Sequence, residues 1–165
     1  MPEKETLERA EQDAREGKSP STQAGEFVRE EMHHIREGKH GAKSTKQAIA
    51  IGLSKARRAG VKLRTPRKGS ASARTRSQAS RELRRGRVRR KPSRRRSRAT
   101  SAALKRQDTS AASRRSLASH ARSTARKRGP AARSRSAMKA VRTKGSRRRS
   151  QAARKAARTR AASRH

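Results

Sequence analysis

The sequence has no cysteine, no tryptophan and no tyrosine, and Phe27 is its only phenylalanine. Without cysteine there is no disulfide framework, no cysteine-based zinc site and no thiol nucleophile. Without exposed aromatics there is no stacking platform of the kind that sequence-specific recognition of single-stranded RNA uses. Hydrophobic residues make up only 28% of the 165 positions. Ordering a chain costs roughly 1–2 kcal/mol of backbone entropy per residue, so this composition predicts no core that spans the whole length. A globular enzyme of this size is therefore not expected. No run approaches the ~18 apolar residues of a membrane span, and the acidic N-terminus lacks the basic-then-apolar profile of a secretory signal. The expectation is a soluble, cytoplasmic protein with no membrane partner. Acidic side chains are scarce as well, and the scarcity is local. Ten of the 12 lie in residues 1–37, and residues 64–165 contain only Glu82 and Asp108.

Positive charge is what the chain has in excess. Its 50 Lys+Arg give a formal net charge of +38. Residues 1–37 carry a net of −4, residues 38–63 a net of +7, and residues 64–165 a net of +35 from 30 Arg and 7 Lys. Large apolar residues run the opposite way. Leu7, Phe27, Val28, Met32, Ile35, Ile49, Ile51, Leu53, Val61 and Leu63 precede Thr65-Pro66, and only Leu83, Val88, Leu104, Leu117, Met138 and Val141 follow it. The sequence thus divides into a polar N-terminal helix (1–17), a helical hairpin domain (18–63) and a basic tail (64–165). The predicted fold is a small all-α head, an αα-hairpin plus a loose N-terminal helix, with a long, mostly disordered Arg/Ser/Ala-rich tail containing nascent helices.

Within the head, Pro2 and Gly17 bound a helix over 3–16, with Glu5–Arg9 and Glu11–Arg15 as i,i+4 pairs. Leu7 is its one large apolar side chain, so the helix is expected to fray or swing free. Ser19 and Pro20 open a second helix that runs to Glu37 before Gly38, and Ala24, Val28, Met32 and Ile35 form its apolar stripe, flanked by Phe27. After the loop 38–43, Ser44-Thr45-Lys46-Gln47 is a capping box for a third helix, 48–59. Its inner face is Ala48, Ile49, Gly52, Leu53 and Ala56; Gly60 stops it and Val61 packs back on its last turn. In the tail, Ser77–Arg85 ends at Gly86, Ser110–Arg128 at Gly129-Pro130, and Ser136–Lys144 at Gly145. These read as nascent helices held open by arginine repulsion and expected to fold on neutralisation by phosphate.

Catalytic constellations do not emerge. The many serines stand among arginines, and the pair Glu30-Glu31, next to Arg29, reads as a solvated helix face. His33, His34 and His40 are the one histidine cluster. His34 and Glu30 share a helix face and His40 lies in the loop, but without a second ligand pair or a cysteine no metal or other cofactor is expected. The loop Gly38-Lys39-His40-Gly41 precedes a helix and suits a single backbone phosphate better than a nucleoside triphosphate.

Basic residues carry the functional expectation. Lys39, Lys43, Lys46, Lys55, Arg57 and Arg58 make a basic edge on the head, with Lys62 beyond them. Arg67 and Lys68 belong to Thr65-Pro66-Arg67-Lys68, one copy of a pattern found in basic chromatin tails. Arg94-Arg95-Arg96, Arg147-Arg148-Arg149, Arg154 and Lys155 are the densest points of the tail. Thirty-five excess charges match about 60 Å of duplex, or ~18 base pairs, at ~1.7 Å of axis per phosphate. An extended tail would reach about 340 Å at ~3.3 Å per residue, far enough to bridge duplexes. Phosphate contacts carry no direct sequence information, so non-specific duplex DNA is the expected partner.

The segment EFVREEMHHIREGKHGAKSTKQAIAIGLSKARRAG, Glu26–Gly60, resembles an uncharacterised bacterial family of small basic proteins in which it stands before a variable Lys/Arg/Ala tail. The resemblance implies no catalytic residues, only DNA binding in a loose sense, and beyond this segment the tail matches in kind alone. The tail is similar to linker-histone C-terminal tails and protamines. The expected function is histone-like, nucleoid-associated DNA binding and compaction by phosphate neutralisation. In that reading the helical head docks on a protein partner or self-associates; alternatives are binding to structured RNA or ribosomes, and an interaction module whose acidic head recruits a partner or masks the tail.

Overall fold

The computed structural model describes residues 2–88 and 93–162. Among the described residues six α-helices and one 3₁₀ turn follow in order: α1 (Lys4–Arg15), α2 (Pro20–Arg36), α3 (Thr45–Arg58), α4 (Ala73–Val88), α5 (Arg94–Lys105), the turn Ser110–Ala112, and α6 (Arg114–Ala162). The chain divides into two compact units, residues 1–120 and 121–165.

The hairpin of α2 and α3 is present as its local signals require. Ser44 Oγ accepts a hydrogen bond from the Gln47 amide, while Gln47 Oε1 accepts from the Lys43 amide, so the reciprocal arm of the box reaches one residue further back. At the other end Gly60 has φ +99°, Gly60 N–H donates to Arg57 C=O and Val61 N–H to Ala56 C=O, which closes the helix as a Schellman motif. The helices cross at Gly52. A Cβ there would lie 2.7 Å from Val28 Cα and 3.0 Å from the Phe27 carbonyl oxygen, so only glycine permits the approach.

Two apolar clusters flank the crossing. One joins Ala10, Ala24, Phe27 and Ala56 with Leu7, Leu53, Val61 and Leu63. It fixes α1 against α2, helped by Arg9 Nε donating to Glu26 Oε2 at 2.9 Å. The expectation of a freely swinging first helix is thereby corrected. Ala10 and Thr6 are buried, and small side chains do the packing that a search for large apolar residues overlooks.

The other cluster corrects the larger expectation. Met32, Ile35, Ala42 and Ala48 of the head pack with Ala111, Ala112 and Leu117 of the stretch read as a disordered tail. Gly41 N–H donates to Leu104 C=O, Ala42 N–H to Asp108 C=O, Thr45 Oγ1 to Ala111 C=O and Arg36 Nε to Ala112 C=O. On the opposite side α4 lies along α3. Glu82 accepts from Ser54 Oγ, from Arg57 Nη1 at 3.4 Å and from Gln78 Nε2 at 2.9 Å, and a Cβ on Gly86 would strike the Arg57 carbonyl.

The protein is therefore largely helical across the described part of residues 64–162, not a small head with a long disordered tail. Alanine and arginine are strong helix formers. The sparse acids and small residues of this region supply the docking that large apolar side chains would otherwise give. The break in composition at Thr65-Pro66 is not a break in packing, since residues 64–120 belong to the same compact unit as the hairpin. Of the three expected stops, Gly129 (φ 72°) and Gly145 (φ 65°) do interrupt α6, whereas Gly86 lies inside α4.

Candidate nucleic-acid interface

The basic edge expected on the head is divided by the fold. Lys43 and Lys46 are exposed in the loop and first turn of α3. Lys39 is exposed too, but its ammonium lies 3.0 Å from Glu37 and 3.3 Å from Glu3, contacts that hold its pKa above the ordinary lysine value. Arg58 points outward with one nitrogen 3.2 Å from Ser54 Oγ. Lys55 and Arg57 turn inward. Arg57 is buried against Glu82, and Lys55 Nζ lies 2.8 Å from Glu31 Oε2 and 3.1 Å from Glu30 Oε1. Burial works against the Lys55 charge, but Glu31 and Glu30 outweigh it and hold its pKa raised. These two cations hold the fold and do not belong to an outward-facing edge.

The same contacts correct the reading of Glu30-Glu31 as a solvated face. Both are buried, Glu31 completely. Glu30 lies three positions after Phe27, and Glu31 lies four from both Phe27 and Ile35, so they share the inner face. That spacing was visible in the sequence; the adjacent Arg29 obscured it.

Beyond the hairpin, Arg67 and Lys68 are exposed where the Arg67 carbonyl accepts from the Ser70 amide and hydroxyl in a turn. Arg94, Arg95 and Arg96 are exposed in the first turn of α5. Ser93 precedes that turn without a side-chain capping bond, and no acidic residue lies within it. Cations at a helix N-terminus oppose the macrodipole, so this end favours an anion. Arg147 and Arg148 fall within α6 but their side chains lie outside the described residues. Arg149, whose Nε donates to the Gly145 carbonyl at 3.2 Å, Arg154 and Lys155 are exposed on the same run.

Sequence reasoning missed Glu82 and Asp108. The Asp108 carboxylate accepts from the Ser110 amide at 3.2 Å while its carbonyl holds Ala42. Both acids of residues 64–165 are engaged internally, against 37 basic residues in that span. Their isolation within the basic region was the available signal.

Among the described residues no helix is long and apolar enough to cross a membrane. Residues 17–69 match the model of a family of unknown function, DUF6496, which makes this stretch an uncharacterised domain containing α2, α3 and the turn that follows. No curated protein and no solved structure matches the chain.

Proposed function

We propose that the protein binds duplex DNA without sequence preference, as a histone-like, nucleoid-associated protein of bacterial type, using arginines displayed on helices. The carrying observation is the imbalance of 37 basic residues against two acids in residues 64–165, with both acids engaged in internal contacts. The uncapped, arginine-bearing start of α5 adds to it, because phosphate there relieves the conflict with the helix dipole. Both compact units are cationic, with net charges of +21 for residues 1–120 and +17 for residues 121–165. Each therefore neutralises its own run of phosphates, about 29 Å of duplex axis for the second unit at ~1.7 Å per charge. One chain that engages two duplex segments cross-links them, and compaction follows from charge on both units rather than from the reach of an extended tail.

Salt titration of one mixed-sequence duplex tests the reading. Binding should weaken steeply with salt, with a log–log slope near −0.9 per phosphate neutralised. Duplexes of different sequence should compete within a small factor. Structured RNA that displaces the duplex at fixed salt in tenfold lower amount would reassign the partner to RNA.

A further inference from the structure

We infer that Glu31, His34 and His40 form a binding site for a divalent transition-metal ion of the zinc class. Their ligand atoms all lie within 4.8 Å of one another. Zinc with tetrahedral bonds of ~2.1 Å holds its donors about 3.4 Å apart, so an ion would draw the three side chains closer together. His40 Nε2 already lies 3.4 Å from Glu31 Oε1.

Two further observations point to a ligand. First, Glu31 is fully buried on α2, yet neither carboxylate oxygen receives a hydrogen bond of good geometry. Lys55 makes an ionic contact with Oε2 from the α3 side, which leaves Oε1 facing His40. Oε1 is thus buried without a hydrogen-bond donor while Lys55 compensates only Oε2, and a cation at Oε1 would satisfy the second oxygen. Second, each histidine has one ring nitrogen held by an oxygen. His40 Nδ1 lies 3.1 Å from the Gly41 carbonyl, and His34 Nε2 lies 2.8 Å from Glu3 Oε1. A proton on each held nitrogen leaves His40 Nε2 and His34 Nδ1 with free lone pairs, and His34 Nδ1 is 3.9 Å from Glu30 Oε1. This is the outer-shell arrangement that fixes tautomer and ring orientation in metal-binding histidines. On its Glu3 side, His34 lines a cleft of about 260 Å³ together with Glu30 and Lys39.

An ion here would tie the loop carrying His40 to α2, beside the main-chain bonds that dock residues 104–112 on Gly41 and Ala42. The site draws its three ligands from the protein alone. Its test is titration of the full chain, stripped of nucleic acid at high salt, with Zn²⁺ against a chromogenic chelator, and with Co²⁺ by visible absorption. The expected result is one tight equivalent of Zn²⁺ and the intense d–d bands of tetrahedral cobalt. His40→Gln and His34→Gln should each abolish both, while His33→Gln, at an exposed neighbour, leaves both intact. Glu3→Gln alters only the outer shell and should weaken binding by on the order of 10–100-fold. Circular dichroism checks that each variant folds; should either histidine variant unfold, the other and Glu3→Gln decide. Zn²⁺ uptake that is absent, or unchanged in His40→Gln and Glu3→Gln, would overturn the inference.

Discussion

A single acidic residue in a run of arginines carries more structural weight than its frequency suggests. Glu82 is buried beside Arg57, with Ser54 and Gln78 donating to it and Arg58 3.9 Å away. Removing one partner of a buried pair leaves the other charge desolvated, a loss of about 3–5 kcal/mol. Glu82→Gln should therefore lower unfolding stability by about that amount in a urea titration read by circular dichroism. Asp108 acts through pH. Hydrogen bonds from the Ser110 side chain and amide, joined by the Thr109 amide, hold its carboxyl below the ordinary aspartate value. A carboxyl lowered by folding contributes stability above its unfolded value, about 3.9, and that contribution is lost as pH falls through the folded value. Asp108→Asn should thus be less stable at neutral pH and show a flatter loss below about pH 4, measured as urea midpoints across the acid range.

The elements differ in how far they could be read from sequence. The hairpin was legible because its determinants are local: the box at Ser44–Gln47, the stop at Gly60-Val61 and the close crossing at Gly52. The docking of α4 and of residues 104–117 was not. It uses Ala79, Ala111, Ala112 and main-chain carbonyls, none of which raises a hydrophobic pattern, and it brings together residues as far apart as Arg36 and Ala112. For the same reason the metal-competent cluster was only half visible. His34 and His40 could be paired from sequence, but Glu31 was read as part of a solvated face, and only its burial beside Lys55 and His40 sets it among them. Two substitutions separate these levels. Phe27→Ala empties the fully buried centre of one cluster and should cost about 3–5 kcal/mol, enough to abolish cooperative melting of so small a core. Gly41→Leu drives a side chain into the Gln107 and Asp108 carbonyls and should undock only that segment. Hydrogen exchange should then show reduced protection at the Gly41 and Ala42 amides, with protection retained in α2 and α3.

At the scale of the whole molecule the question is whether affinity is distributed or concentrated. Negative side chains of the first helices are largely paired within the fold, as in Glu26 with Arg9, Asp13 with Lys18, and Glu30 and Glu31 with Lys55. The net charge of +38 is therefore carried mainly by arginines and lysines beyond the hairpin, on both compact units. If binding is counterion release over that field, position should matter less than number. Replacing Arg94, Arg95 and Arg96 with Gln removes three charges from residues 1–120, and the same change at Arg147, Arg148 and Arg149 removes three from residues 121–165. Each triple variant should flatten the log–log salt slope by up to about 2.7, and the six-site variant by up to about 5.4, at ~0.9 for every phosphate no longer neutralised. The start of α5 adds a helix N-terminus to its arginines, so a modest excess at Arg94–Arg96 is compatible with distributed binding. Fluorescence anisotropy of one labelled duplex at several salt concentrations supplies all three slopes. Near-equal reductions that add in the six-site variant identify a distributed cation surface. Disappearance of nearly the whole slope from one cluster, with the other silent, would instead place recognition at a single site and remove the physical basis for compaction through both units.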